Sequence, residues 1–285
     1  MNLTDYGRFQ TQSETLASLL RTGEKVALSS CALFIYGEEG SGRRTLARWI
    51  HDHGQTRGRF ISWSSFDFDP QSIRDGDVVM IESINELEAS DLLKLKRHIE
   101  MIISERGVRA RLISTSSVTP AEWMDTSALA RELGYRLCVI ALAMPSLKER
   151  SQDLAGLSQM LLRVACMVNG LPEKTFSPEA LAVLQSHNWT GNVAELNNVV
   201  ERAALKSETP LVSERDLSFL FHQTRPTSEL LVGQSGITLF EMEKKLIFQT
   251  LEITRQNKTR AAQILGISIR TLRNKLNSYR EAEAS

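Results

Sequence analysis

The chain has 285 residues, 42% of them hydrophobic, with Lys+Arg and Asp+Glu balanced at 34 each. That leaves room for one or two domains with a real core plus a small module, and the neutral total excludes a whole-molecule field drawing it to nucleic acid or membrane. No window approaches the roughly eighteen apolar residues of a membrane helix. The first residues, M-N-L-T-D-Y-G-R-F-Q, lack the basic start and apolar run of a signal peptide. Cys31, Cys138 and Cys166 show neither metal-ligand nor C-x-x-C spacing, so a cytoplasmic protein with reduced core thiols and no metal site is expected.

In chain order, a helix is expected over 13–26, with Leu16, Leu19 and Leu20 on its apolar side. A buried strand over 32–36 runs into G-E-E-G-S-G-R-R-T, residues 37–45, and then a helix with Leu46, Trp49 and Ile50 as its core face. Strand, glycine-rich turn and helix is the context a phosphate-binding loop requires. Glycines let backbone N–H groups point at an anion, and the helix N-terminus adds its dipole. Gly37, Gly40 and Gly42 supply the turn. Against the pattern G-x-x-x-x-G-K-[ST], however, Arg43 stands at the lysine, Arg44 follows, and Thr45 comes one place late. Arginine keeps the charge but is a wide planar fork, not a point charge. The rival reading is a strand-to-helix turn that keeps its glycines for packing alone.

Strands over 59–63 and 77–81 follow, the second ending at Glu82. An apolar strand ending in an acid is the second half of a nucleotide site, where an Asp holds magnesium and a following Glu polarises water. Those positions carry Glu82 and Ser83, and a serine cannot act as the base. A helix is expected over 90–103 and a fourth strand over 111–115. After Pro145 the chain reads as all-helical, with helices over 153–168, 177–186 and 189–205. Residues 222–236, with Pro226, Gly233 and Gly236, read as a linker. A long amphipathic helix over 237–254 carries Phe240, Ile247 and Leu251 on one side. That is more apolar surface than a small module covers, and a homodimer through this C-terminal domain is expected.

The stretch N-K-T-R-A-A-Q-I-L-G-I-S-I-R-T-L-R-N-K-L-N-S-Y, residues 257–279, reads as a helix-turn-helix. Thr259 caps the first helix and Ser268 the second, and Gly266 suits the left-handed residue between them. Ile269, Leu272 and Leu276 share one buried stripe, which turns Arg270, Thr271, Arg273, Asn274 and Lys275 outward. From 253 to 280 the basic residues Arg255, Lys258, Arg260, Arg270, Arg273, Lys275 and Arg280 meet no Asp or Glu. A duplex rewards such a patch by releasing counterions. Double-stranded DNA is the expected partner, with Lys258 and Arg260 on phosphates and the second helix on bases.

This segment resembles the Fis-family DNA-binding domain, N-x-[ST]-x-A-A-x-x-L-G-I-[ST]-R-x-T-L-x-x-K-L, except that Ile269 stands where the family has Arg. Upstream, G-E-E-G-S-G-R-R resembles G-E-S-G-T-G-K-E of the sigma-54-dependent activators, a branch of the AAA+ ATPases. I-E-S-I-N-E-L resembles L-D-E-I-G-E-L, L-A-R-E-L-G-Y-R-L resembles F-R-E-D-L-Y-Y-R-L, and W-T-G-N-V-A-E-L-N-N resembles W-P-G-N-V-R-E-L-x-N. The resemblance covers nearly the whole chain. It implies an α/β AAA+-like P-loop domain with a mostly parallel sheet over 1–150, an all-α lid over 151–221, the linker over 222–236, and the helix-turn-helix domain over 237–285. The family's N-terminal sensory domain is expected to be absent.

The departures fall on functional positions. The resemblance places the phosphate lysine at Arg43, the magnesium aspartate at Glu82, the catalytic glutamate at Ser83, the sensor asparagine at Ser117, the first arginine finger at Ala130 and the lid's sensor arginine at Ala194. Only the second finger position, Arg136, keeps its residue. The G-A-F-T-G-A loop that grips sigma-54 in the family has no counterpart between Trp63 and the acidic strand. The leading expectation is a DNA-binding regulator on an AAA+ scaffold without ATP hydrolysis and without catalytic residues. Binding of ATP or ADP with magnesium stays open. The rivals are a subunit that co-assembles with a competent AAA+ regulator and a weak ATPase with a remodelled site.

Overall fold

A computed structural model describes residues 9, 11–54, 58–102, 108–218 and 220, together with 247, 258, 271, 272, 275 and 276. The chain divides into two compact units, 1–221 and 222–285.

In the first unit, helix α1 (Glu14–Ala27) precedes strand β1 (Leu33–Tyr36) and helix α2 (Arg43–Asp52). Then come β2 (Phe60–Ser62), β3 (Val78–Ile81), α3 (Ala89–Glu100), β4 (Arg111–Ser116), α4 (Pro120–Asp125), α5 (Ala128–Leu137) and β5 (Ile140–Ala143). These strands form a five-stranded sheet in the order β2-β3-β4-β1-β5. Every neighbouring pair is parallel.

A parallel sheet needs cover on both faces, because its crossovers run over each. Here the alternation of each strand divides the core accordingly. Phe34, Val79, Ile81 and Leu112 pack with Leu92, Leu95, Trp123 and Leu133 on one face. Leu33, Ile35, Val78, Met80, Ile113 and Leu142 pack with Leu16, Leu46, Trp49 and Ile50 on the other. Strand β5 is not among the strands read from the sequence. Its burial alternates only partly, with Ala141 and Ala143 exposed.

The lid consists of α6 (Leu154–Val168), β6 (Thr175–Phe176), α7 (Pro178–Ser186), α8 (Asn192–Lys206) and β7 (Leu211–Val212) around its own apolar core. It is not all-α as expected. β6 and β7 pair in parallel, Thr175 with Leu211 and Phe176 with Val212. Two-residue segments are too short to show an alternating pattern. They form because the two chain ends beside α7 and α8 need partners for their backbone groups. Thr175 N–H donates to the Pro210 carbonyl at 2.9 Å and Ser177 N–H to that of Val212 at 2.9 Å. Buried Lys174 reaches the last carbonyls of α8, donating to Ala204 at 2.9 Å and also to Ser207, where a cation suits the helix dipole.

The lid also holds the beginning of α1. Ser13 precedes the helix without capping it through its side chain. Instead Asp153 accepts from the backbone N–H groups of Gln12 at 2.6 Å and Ser13 at 3.2 Å and from the Thr11 hydroxyl at 2.7 Å. The thiols are free. Cys166 is buried, but Cys31 and Cys138 are only half-buried, which corrects their expected place in the core.

In the second unit, the described residues are helical, with Ile247 and Leu272 buried and Lys258 and Thr271 exposed. Of the expected DNA-contacting residues, Thr259, Arg260, Ser268, Arg270, Arg273 and Asn274 lie outside the described residues, as does the expected linker.

Candidate nucleotide cleft and DNA-binding segment

The glycine-rich turn sits between the end of β1 and the start of α2, at the carboxyl edge of a parallel sheet, where such folds bind ligands. Gly40 has φ +70° and Gly42 φ +108°, left-handed values that a side chain resists. They turn the backbone into α2, which starts at Arg43 with no side-chain cap. Gly37 is needed for space, since a Cβ there would lie 2.4 Å from the Met144 carbonyl.

A cleft of about 330 Å³ opens beside this turn, lined by Gly40, Gly42, Arg43, Arg44, Thr45, Glu82, Ser83, Thr115, Val193, Ala194 and Asn197. The structure therefore gathers most of the expected nucleotide residues in one place. Arg43 and Arg44 point to different partners. The Arg43 guanidinium folds back on its own loop and donates to the Gly37 carbonyl at 3.0 Å. Burial lowers its pKa, and Glu39 and Glu86 partly offset this. Arg44 reaches across to Glu82 at the end of β3, with Nη1 3.0 Å from Oε1 and 3.3 Å from Oε2. The Ser62 hydroxyl also donates to Glu82, at 3.3 Å.

Beside Glu82, Ser83 adopts φ +45° and donates its N–H to the Thr115 hydroxyl at 3.0 Å. Ser117 is tied to Asn85 twice: Asn85 Nδ2 donates to its Oγ at 2.8 Å, and its own N–H donates to Asn85 Oδ1 at 3.0 Å. Both amide ends of Asn85 are thereby used.

The other wall of the cleft is the lid. The Gly40 carbonyl accepts from the first N–H groups of α8, Val193 at 3.0 Å and Ala194 at 3.3 Å. Asn192, fully buried at φ +53°, donates to the Glu38 carboxylate and the Glu39 carbonyl, each at 2.9 Å. Its Oδ1 accepts from Leu147 N–H at 2.7 Å. Buried Arg150 donates to the Ser41 carbonyl at 2.5 Å. Burial lowers the Arg150 pKa, and Asp153 works against that. Asn192 and Arg150 were not singled out as site residues. The only signal was the G-N of W-T-G-N, because an Asn beside a Gly tolerates left-handed backbone.

Two positions read from the resemblance lie away from the cleft. Arg136, in the last turn of α5, is exposed. Ala130 is wholly buried, which leaves no space for an arginine there; its neighbour Arg131 is exposed and pairs with Asp125 at 3.4 Å.

Magnesium would meet a poor set of ligands among the described residues. Among the described residues Glu82 is the only carboxylate lining the cleft, and it is already paired with a guanidinium. Among the described residues no group of three His, Cys, Asp or Glu could hold a metal ion.

Residues 11–147 match the family described as Sigma-54 interaction domain, 148–232 the AAA+ ATPase lid domain, and 238–279 the Fis family of bacterial regulatory proteins. The chain is similar to transcriptional regulatory protein FlbD of Caulobacter vibrioides, with 30% identity over 94% of this chain and 69% of that protein. The chain belongs to the sigma-54-dependent transcriptional regulators. Regulatory protein AtoC of Escherichia coli (26% identity, 96% of this chain, 68% of that protein) is another relative. Among solved structures, NtrX of Brucella abortus in complex with ATP has a TM-score of 0.65 at 22% identity, covering 95% of this chain and 69% of that one. RuvB of Thermotoga maritima has a TM-score of 0.52 at 17% identity, covering 94% and 88%. Both share the AAA+ α/β fold. The relatives are transcriptional regulators, and the Fis-type segment gives this member its DNA-binding module.

Proposed function

We propose that this sigma-54-family regulator is a sequence-specific, cytoplasmic DNA-binding protein whose AAA+ core does not hydrolyse ATP. The single observation that carries this reading is the Arg44–Glu82 ion pair at 3.0 Å. It engages the acid at the end of β3, and the next residue is Ser83, which has no carboxylate to activate water. Groups of this kind act as a unit, so losing them together costs orders of magnitude in rate. Nucleotide binding is a separate matter, and the crystallised complex of NtrX with ATP makes ATP the natural ligand to try.

The link between β2 and β3, residues 63–77, holds only turns and the short 3-10 segment Pro70–Ser72. That supports regulation without the family's sigma-54-gripping loop. DNA contacts are assigned to Lys258, Thr259, Arg260, Ser268, Arg270, Thr271, Arg273, Asn274 and Lys275, with a homodimer through the C-terminal domain. The test is phosphate release by the purified full chain with ATP and magnesium, beside gel-shift titration on promoter fragments. Selective DNA binding without phosphate release is expected. Turnover at the family's rates overturns the reading.

A second reading is favoured by Arg136, exposed at the end of α5. A finger of this kind acts in a neighbour's site, so the chain would join a competent AAA+ regulator as a partner subunit. Co-expression with tagged relatives tests it. Mixed oligomers support it, and a strict homodimer that regulates alone counts against it.

A further inference from the structure

In a magnesium-dependent nucleotide site the metal lies between an acid at the strand end and the phosphates, and neutralises both. Magnesium is held by one or two carboxylates plus the phosphates themselves. In this chain the acid is Glu82, and the cation against it belongs to the protein: Arg44 Nη1 lies 3.0 and 3.3 Å from its two oxygens. An arginine that approaches in this way keeps most of its capacity. A guanidinium has five N–H donors, and both of its close approaches to Glu82 are through Nη1. Nε and Nη2 stay available, and Arg44 is exposed at the cleft rather than locked in the core.

The surroundings suit a polyphosphate. Gly40 and Gly42 turn the backbone through left-handed values just before α2 and line the cleft, the kind of turn whose successive N–H groups make an anion-binding concavity. Arg43 brings a second guanidinium into its lining. Opposite them, Ala194 and Asn197 of α8 bring no charge.

We infer that Arg44 takes the place of magnesium, and that the cleft binds the phosphates of a nucleoside triphosphate without a metal ion. Arg44 bridges Glu82 and a phosphate oxygen, as the metal does elsewhere. Arginine stays protonated throughout the accessible pH range, so the charge balance needs no ion from solution. This deepens the proposed non-hydrolysing reading and rests on it.

The test is equilibrium dialysis of labelled ATP against the full chain, with magnesium and, separately, with EDTA. The expected dissociation constants agree within about threefold. Arg44→Gln is expected to weaken binding in EDTA by about tenfold or more, a loss of the size one charge-assisted bond supplies. Glu82→Gln, which frees Arg44 from its counter-charge, is expected to tighten it. Thermal melts show whether each variant is folded. Binding only with magnesium overturns the inference, as does no binding in either condition or an unchanged constant in Arg44→Gln. Those outcomes leave the proposed non-hydrolysing DNA-binding regulator standing, whereas phosphate release in the magnesium arm overturns its non-hydrolysing core.

Discussion

Asn192 at the start of α8 donates to the Glu39 carbonyl of the glycine-rich turn at 2.9 Å. The same side chain also meets the Glu38 carboxylate and Leu147 N–H, so one buried amide ties the lid to both the phosphate loop and the chain leaving the sheet. Replacing it by alanine leaves these groups without partners and keeps a left-handed backbone that alanine resists. Asn192→Ala is expected to cost about 2–4 kcal/mol of stability. Asn192→Gly loses the same bonds without the strain and should cost less. Chemical denaturation of the two variants measures the difference, and equal losses would remove the strain from the account.

Gly40 gives a steric version of the same test. A Cβ there would lie 2.2 Å from the Gly191 carbonyl, whereas a Cβ on Gly42 would meet only the Met144 methyl at 3.4 Å. Both have left-handed φ values, so backbone strain is common to both and contact differs. Gly40→Ala should lower the melting temperature more than Gly42→Ala and should raise protease sensitivity near the start of α8. A larger drop for Gly42→Ala would contradict the lid contact.

Acid sensitivity should come in part from Asp77. Burial alone would raise its pKa, but bonds from the Arg59 side chain and from the backbone N–H groups of Arg59 and Arg74 outweigh it and hold the pKa below the ordinary value. A depressed folded-state pKa means the stabilisation is complete above about pH 4, the unfolded carboxylate value, and is lost as pH falls through the folded-state value. Asp77→Asn should therefore be less stable at neutral pH and show a flatter decline below about pH 4. Urea midpoints across that range decide it.

On DNA, Arg260→Ala is expected to weaken specific and random sequences about equally and to reduce the salt slope by about one. Asn274→Ala is expected to change sequence preference instead, by about 1–3 kcal/mol at one base pair. Gel-shift titrations at several salt concentrations separate the two, and identical behaviour of the variants would end the division between phosphate and base contacts.

Most strands of the sheet and the phosphate turn were legible because their signals are local. Apolar strands 33–36, 78–81 and 111–116 stand out, and glycines at 37, 40 and 42 mark the turn between β1 and α2. The partners of the arginines were not legible. Arg43 and Arg44 are adjacent in sequence, yet one folds onto Gly37 and the other crosses to Glu82, a choice made by the direction each takes at the start of α2. β5 was hidden because small residues, Ala141 and Ala143, occupy its exposed positions. The β6–β7 pair was hidden because its partners lie on either side of two helices. Asn192 carried a weak local cue, but its three partners come from residues 38, 39 and 147, which no short window contains.

Asp153 holds residues 11–13, and the bond to Gln12 spans a separation of 141 residues. A ribosome adds roughly 5–20 residues per second, so the nascent segment ahead of α1 waits on the order of 7–30 s before its anchor has been made. Until then its backbone donors face water, and Glu38 of the phosphate loop waits longer still, for Asn192.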